Sequence, residues 1–325
     1  MTYSSIQESN LQDLHGKVAI VTGGNKRRRS TGIGYGTVQF LLRKGAKVYI
    51  SARNEQRAQD AINQLRKEGM EDGIVEWLSL DLSDPRLAKR SAEEFLKKEE
   101  RLDILVNNAA IGAVGPYKLN EDGLRDVMTT NHISHFAFTD TLLPLLKKTS
   151  REDKSDVRII NVTSMAHSRV EVSSFATKDD LNKDYGDSFN GYLDTYGLSK
   201  LANILHIKSL QKKLETENYP IICLSVHPGP VLTDGSKGFL SSVPYAGRLV
   251  SFLFGPLFFS SWRKGAFTSA FAAASPEVRN KADVYKGVYL TPIAKITVPS
   301  KSARSAKLAD ELYDTTEAVL KELFV

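Results

Sequence analysis

Short apolar segments rich in β-branched residues alternate along this chain with longer amphipathic segments of helical period. The first two apolar segments are residues 17–23 (KVAIVTG) and 47–53 (KVYISAR), and helical patterns follow them at residues 34–45 and 55–69. Strands joined by helix-length crossovers form parallel sheets covered by helices on both faces. The alternation therefore predicts an α/β fold and excludes all-helical and all-β architectures.

The same alternation continues through the rest of the chain. It predicts strands at residues 74–82, 102–109, 157–164, 220–229 and 286–292, and helices at residues 85–100, 121–148 and 192–217. We expect one doubly wound Rossmann domain over residues 1–325, with about seven parallel strands and helices on both faces. Residues 1–15 are expected to form a polar N-terminal extension, and residues 301–325 a C-terminal helix.

Charge and cysteine content say little about a partner. The 44 basic residues are nearly balanced by 38 acidic ones, leaving a net charge of +6. With no basic stripe and no recognisable nucleic-acid module, we expect no nucleic-acid partner. The single cysteine, Cys223, lies in an apolar strand pattern and is expected to be a buried thiol in a reducing compartment. Because no leader-like or membrane-spanning segment is evident, we expect a cytoplasmic protein.

The segment between the first strand and the first helix is rich in glycine. It reads VTGGNKRRRSTGIGYGT over residues 21–37. Glycines in such a turn let main-chain N–H groups approach a pyrophosphate, which the helix N-terminus stabilises. A P-loop is excluded because no Gly-Lys-Ser/Thr follows at the required spacing. The residues assigned to the coenzyme here are Gly23, Asn25, Gly32, Ile33 and Gly34.

A basic insertion interrupts this turn at Lys26–Ser30. Three interpretations stay open: a solvated surface bulge, a clamp on the coenzyme phosphates, and a nucleic-acid contact. The end of the second strand narrows the choice of coenzyme, because it carries Arg53 where NAD-dependent enzymes place a carboxylate. We therefore expect NADP(H), with NAD(H) as the alternative.

Tyr196 and Lys200 lie four residues apart in a helical pattern, so their side chains share one face. A cation within about 4–6 Å of a phenol favours the phenolate and suits the group to acid–base chemistry. An exposed Tyr/Lys pair without function is the alternative. Tyr192 is a rival for the same role, but no lysine follows it at four residues.

Several motifs in chain order resemble those of the short-chain dehydrogenase/reductase family. They are Thr22-Gly23 with Gly32-Ile33-Gly34, Asn107-Asn108-Ala109-Ala110, Asn131, Asn161-Val162-Thr163-Ser164, Tyr196 with Lys200, and residues 227–233 (HPGPVLT). The chain departs from the family in the glycine turn, where eight residues separate Gly23 from Gly32 instead of the usual three. The long insert after Ser164, the triplet Met165-Ala166-His167 and residues 195–206 (TYGLSKLANILH) look like the retinol-dehydrogenase-like branch, and the C-terminal part resembles a segment of fungal members of that branch. The resemblance covers about residues 15–235.

The resemblance implies an NADP(H)-dependent oxidoreductase that interconverts a carbonyl and an alcohol. Ser164 would orient the carbonyl, Tyr196 would act as the acid/base, Lys200 would lower the tyrosine pKa and bind the nicotinamide ribose, and Asn131 would hold a relay water. The remaining residues that it assigns to the coenzyme are Asp81, Leu82, Asn107, Ala109, Pro228, Val231 and Thr233. A protein that binds the nucleotide as a sensor or scaffold is the alternative.

The resemblance also implies a substrate lid at residues 235–262, a segment rich in Phe and Leu. A hydrophobic aldehyde or ketone would suit such a lid, and peripheral contact with a membrane or lipid droplet is a further alternative. A monomer and a dimer are both compatible with the sequence.

Four histidines are candidates for metal binding or substrate contact. His132 and His135 are three residues apart but lack a third ligand cluster, so we expect packed histidines and no metal. His167 and His227 lie near the catalytic motifs, and substrate contact is an alternative for each.

Overall fold

The computed structural model describes residues 7–25, 32–113, 115–229 and 262–325. Within them, seven strands run parallel in one sheet and an eighth pairs antiparallel at its edge. The strands are β1 Val18–Thr22, β2 Lys47–Ala52, β3 Ile74–Ser79, β4 Ile104–Asn107, β5 Arg158–Val162, β6 Ile222–Val226, β7 Tyr289–Thr291 and β8 Lys295–Ile296. The doubly wound sheet is confirmed. The sequence did not indicate β8, because its two residues are both exposed and show no apolar pattern.

Helices follow the strands as crossover connections. They are α1 Ile33–Leu42, α2 Glu55–Glu68, α3 Pro85–Leu96, α4 Asp126–Met128, α5 Ser134–Ser150, α6 Lys178–Leu181, α7 Phe189–Thr216, α8 Trp262–Ala274, α9 Pro276–Asn280, α10 Ala282–Tyr285, α11 Lys301–Arg304 and α12 Ala306–Leu323. A π-helical segment, Thr129–Ile133, joins α4 to α5, and a 3-10 helix, Met165–Arg169, follows β5. The numbering covers the described residues only.

Apolar side chains fill both faces of the sheet. One cluster packs α1, α2 and α8 against one face, with Val21 and Phe40 among its members. The opposite face packs against α3, α5 and α7 through residues such as Phe95 and Leu105. Because β1, β4, β5 and β6 are buried along their whole length, their sequences read as continuous apolar runs.

The order of the strands fixes where a ligand binds. The sheet runs β3-β2-β1-β4-β5-β6-β7-β8, so the crossovers reverse direction between β1 and β4. In open α/β sheets a crevice forms outside the carboxyl ends of the strands at this reversal, and ligands bind there. The glycine turn after β1 and the Asn107 motif at the end of β4 both lie at that crevice.

The chain ends differ in detail from the sequence-based expectations. The expected helix over residues 301–325 is two helices, because Ser305 leaves the helical conformation and its hydroxyl caps α12 by accepting the Leu308 N–H. Leu11 and Leu14 of the expected N-terminal extension are buried in the core. The expected lid lies outside the described residues except for Trp262. No helix in the described part of the chain has the length and apolar character needed to cross a membrane.

Candidate active site

The glycine turn passes directly against the end of β4. Gly23 has a φ of +68°, and a Cβ there would lie 3.0 Å from the Cα of Ala109. A Cβ on Gly34 would lie 2.5 Å from Nδ2 of Asn108 and 2.6 Å from the oxygen of Gly23. Both positions therefore require glycine, which explains why these two residues of the motif are present.

Thr22 ties the turn to β4. Its hydroxyl oxygen accepts the main-chain N–H groups of Asn108 and Ala109, each at 2.9 Å. Asn108 Nδ2 donates to the main-chain oxygen of Thr22 at 2.7 Å. Sequence reasoning assigned no role to Thr22 or Asn108, although both stand inside motifs that it identified. These bonds fix the backbone on which a coenzyme would rest.

The N-terminus of α1 suits a pyrophosphate. Gly32 is its N-cap, no side chain caps it, and the first turn contains no acidic residue. Among the described residues, a Cβ built on Gly32 meets no atom within 4 Å. Ile33 begins the helix and packs against the core, and Asn25 closes the described part of the turn. The residues present therefore fit a dinucleotide.

The residues expected near the adenosine lie at the ends of β2 and β3. Arg53 is exposed directly after β2. Asp81 follows β3 and accepts the Ser83 N–H at 2.9 Å, whereas the Leu82 side chain is buried in the core beside α3. A cationic side chain thus stands directly after the carboxyl end of β2.

Asn107 lies below the crevice in a buried polar network. Its Nδ2 donates to Thr139 Oγ1 and Asn161 Oδ1, each at 2.9 Å, and its Oδ1 has no partner. Asn161 also donates to His206 Nδ1 at 3.3 Å. The side chain expected on the adenosine side therefore joins β4 to α5 and β5 in the interior.

Tyr196 and Lys200 share one face of α7. The Lys200 amine lies 5.4 Å from the centre of the Tyr196 ring and donates to the Val162 oxygen at 3.1 Å. Burial lowers the pKa of Lys200 to about 7 and raises that of Tyr196 to about 12. In the protein without coenzyme, burial therefore dominates the Tyr196 pKa, and the phenol holds its proton at neutral pH.

Ser164 reaches the same place from β5. It caps the following 3-10 helix, its Oγ accepting the Ala166 N–H at 3.2 Å. A Cβ on Gly197 would lie 2.5 Å from the Ala166 oxygen, so α7 touches the Ser164 segment one residue after Tyr196. The structure thus brings together the segments that carry the serine, the tyrosine and the lysine.

Asn131 is fully buried in the π-helical segment. Its side chain accepts the Ile111 N–H at 2.8 Å and donates to the Ile111 oxygen at 2.9 Å. Nδ2 also donates to Ser199 Oγ at 3.0 Å, and that hydroxyl donates to the main-chain oxygen of Tyr196 at 2.8 Å. The amide thereby anchors both the segment after β4 and α7.

The histidines have separate environments. The Nδ1 atom of His167 lies 2.7 Å from the main-chain oxygen of Ser164. Its Nε2 atom accepts the Ser300 N–H at 3.2 Å. His227 has a buried Nδ1 without a partner, and burial lowers its pKa to about 4. His132 and His135 are buried with different partners. Among the described residues no group of three or more metal-binding side chains occurs.

The other assigned positions divide in two. Pro228 is buried after β6, and Cys223 is fully buried in β6, where burial raises the pKa of its thiol. Val231, Thr233 and the Lys26–Ser30 insertion lie outside the described residues, so their expected contacts stay predictions.

The chain is similar in sequence to a family of known proteins. The family model for short chain dehydrogenases matches residues 17–177. A short-chain dehydrogenase/reductase of Armillaria gallica is 44% identical over 97% of this chain and 96% of its own length. An uncharacterised oxidoreductase of Schizosaccharomyces pombe is 37% identical over 97% of this chain and 88% of its own.

Solved structures agree with these relatives. A protein of Mycobacterium paratuberculosis superposes with a TM-score of 0.71 at 26% identity, covering 97% of both chains. The active-site complex of Pseudomonas aeruginosa RhlG with NADP gives a TM-score of 0.61 at 25% identity, covering 92% of this chain and all of that one. The sequence relatives match this chain over nearly its full length and the solved structures share its fold, so this chain is an oxidoreductase of the short-chain dehydrogenase/reductase family.

Proposed function

We propose that this oxidoreductase uses NADP(H) to interconvert a carbonyl and a primary or secondary alcohol, and that it acts as a reductase of hydrophobic aldehydes and ketones. The observation that carries the proposal is the half-buried Tyr196 ring beside the Lys200 amine on α7, which packs against the segment that carries Ser164 after β5. A proton donor beside a carbonyl-orienting hydroxyl is what carbonyl reduction requires.

The side chains divide the chemistry between them. When bound, the coenzyme supplies a hydride to the carbonyl carbon. The Ser164 hydroxyl orients the carbonyl by donating a hydrogen bond to its oxygen, and the Tyr196 phenol gives that oxygen its proton. With its pKa raised to about 12, the phenol is present as the acid at neutral pH, which favours reduction. Lys200 joins α7 to the end of β5 through the Val162 oxygen, and Asn131 joins α7 to the segment after β4 through Ser199 and Ile111.

Arg53 supports NADP(H) as the coenzyme. Its exposed guanidinium follows β2, and guanidinium groups pair bidentately with phosphate oxygens. A carboxylate, which would accept the ribose hydroxyl of NAD, is missing there. The complex of RhlG with NADP shows that a structurally similar protein takes this coenzyme.

Apolar side chains around the site support a hydrophobic substrate. Ile111, which follows β4, is 41% exposed, and Met165, which follows Ser164, is 60% exposed. Two exposed apolar side chains, one after β4 and one after β5 at the carboxyl ends of these strands, suit an apolar ligand better than a small polar one.

Oxidation of NADPH with a panel of aldehydes and ketones of increasing hydrophobicity tests the proposal. We expect turnover that Tyr196→Phe lowers by about 10²–10⁴, the usual contribution of a positioned acid. Tyr192→Phe, on the preceding turn of the same helix, is the matched control and should keep its rate. NADPH binding without turnover of any carbonyl would instead favour the sensor or scaffold protein.

A further inference from the structure

A buried histidine connects the glycine turn with the catalytic helix. His135, in the first turn of α5, is only 2% exposed. Its Nε2 lies 2.9 Å from the Thr22 hydroxyl, and its Nδ1 lies 3.3 Å from the main-chain oxygen of Asn131. The ring therefore bridges the end of β1 and the π-helical segment.

The partners of Thr22 determine which ring nitrogen carries the proton. The hydroxyl oxygen of Thr22 already accepts two main-chain N–H groups, from Asn108 and Ala109. A hydroxyl has two acceptor positions and one proton, so Thr22 has only its proton left to share. That proton goes to Nε2 of His135, which leaves the ring proton on Nδ1, facing the Asn131 oxygen. Burial lowers the pKa of His135 to about 3, which keeps the ring neutral.

The connection continues to the helix that carries Tyr196. Asn131 Nδ2 donates to Ser199 Oγ at 3.0 Å, and Ser199 Oγ donates to the main-chain oxygen of Tyr196 at 2.8 Å. Four hydrogen bonds thus lead from Thr22 in the turn, through His135, Asn131 and Ser199, to the main chain of α7 at Tyr196. Thr22, Asn131 and Ser199 are all buried, so water does not compete for these bonds.

We propose that His135 is a positioning residue that keeps the coenzyme-binding turn and the Tyr196 helix in fixed register. The inference rests on the proposed function, because it assigns the turn to the coenzyme and the phenol to proton transfer. It concerns both ends of the ring: the Nε2 side holds the Thr22 hydroxyl, and the Nδ1 side holds the Asn131 carbonyl.

Substitutions of His135 test its Nε2 and Nδ1 hydrogen bonds separately. His135→Phe fills the space without either hydrogen bond, and we expect NADPH binding about tenfold weaker and kcat about tenfold lower, with an unchanged KM for the carbonyl. His135→Gln keeps an acceptor towards Thr22 and should restore NADPH affinity. His135→Asn keeps a donor near the Nδ1 position and should restore kcat.

His132→Phe is the matched control, because His132 is 1% exposed, lies three residues away and bonds Thr316 in α12 at 3.0 Å. It should lower the thermal midpoint and leave NADPH affinity and kcat unchanged. Equal kinetic losses in both Phe variants, or losses below twofold in His135→Phe, would overturn the proposal. Folded Gln and Asn variants that recover neither quantity would do the same.

Two readouts do not depend on turnover. Calorimetry measures NADPH binding directly, so the inference is tested even if every carbonyl in the panel is inert and the proposed function fails. The ¹⁵N spectrum of the histidine-labelled wild-type protein reports the ring tautomer without any variant. An Nδ1-protonated His135 supports the assignment, and an Nε2-protonated ring would refute it.

Discussion

The Lys200 amine lies 5.4 Å from the centre of the Tyr196 ring while donating its hydrogen bond to the Val162 oxygen at 3.1 Å. The two groups are therefore neighbours without being hydrogen-bonded partners in the protein alone. Burial is the first cause of both pKa shifts, and it disfavours the charged form of each group, phenolate and ammonium alike. The site without coenzyme is thus set for proton donation.

This arrangement predicts opposite pH profiles for the two directions of the reaction. Reduction uses the phenol, which is present throughout pH 6–9 when the pKa of Tyr196 is about 12. Oxidation uses the phenolate, whose fraction rises about tenfold per pH unit below that pKa. We expect the phenol to add no titration to kcat/KM for reduction over this range beyond that of Lys200, whose pKa is about 7, and kcat/KM for alcohol oxidation to keep rising above that pKa, both measured from initial rates with one carbonyl/alcohol pair. Oxidation that is already level at pH 7 would contradict the assigned pKa.

Substituting alanine for Gly34 or for Gly32 should change the free energy of unfolding by different amounts. Gly34→Ala places its Cβ 2.5 Å from Asn108 Nδ2, so we expect the free energy of unfolding to fall by about 1–3 kcal/mol. Gly32→Ala meets no atom within 4 Å in the described part of the chain and should change the free energy of unfolding by less than about 1 kcal/mol.

NADPH binding then tests where the pyrophosphate lies. If the pyrophosphate rests on the N–H groups at the start of α1, Gly32→Ala weakens NADPH binding although the stability of the protein is nearly unchanged. Denaturant titration without coenzyme and calorimetry with it make both measurements. Undiminished affinity in Gly32→Ala would place the pyrophosphate elsewhere.

The sequence predicted those features that lie within one element. Each parallel strand appeared as an apolar run, and the shared face of Tyr196 and Lys200 follows from their spacing on one helix. The anchoring of Asn131 to Ile111 and the bridge from His135 to Thr22 join residues 20 and 113 positions apart. No local pattern marks such contacts, since they depend on how the elements pack.

The short elements were missed for a different reason. β8 has two exposed residues, and its pairing with β7 depends on the chain direction after Thr291. The break at Ser305 was hidden because Ser is compatible with a helix interior as well as with a cap. Strong periodicity therefore predicted the sheet, while caps and edge strands needed the tertiary structure.

Arg53 predicts the coenzyme preference. Arg53→Asp removes a phosphate-binding cation and adds a carboxylate able to accept the ribose hydroxyl of NAD. We expect kcat/KM for NADPH to fall about 10–100-fold and that for NADH to rise. Arg57→Asp, exposed one turn into α2, carries the same charge change and is the control. Equal effects of the two substitutions would show that general electrostatics, rather than a contact with Arg53, set the preference.

The buried histidines predict acid lability. Burial lowers the pKa of His132, His135 and His206, so each is neutral in the folded protein. In the unfolded chain each has a pKa near ~6.5 and binds a proton first as the pH falls. The free energy of unfolding is therefore unaffected by these histidines above the unfolded-state pKa. Below it, the free energy of unfolding falls by up to about 1.4 kcal/mol per histidine and pH unit.

Denaturant unfolding at pH 7.5, 6.5 and 5.5 measures this loss. For the three histidines together we expect the free energy of unfolding to be about 4 kcal/mol lower at pH 5.5 than at pH 7.5. His132→Gln removes one titrating group, so the slope of stability against pH below 6.5 should shrink by about one proton. His15 provides the control, because it is largely exposed and Asp13 raises its pKa, so His15→Gln should not reduce the acid loss. A slope unchanged in His132→Gln would mean that this ring is already protonated in the folded protein, against its burial and its bond to Thr316.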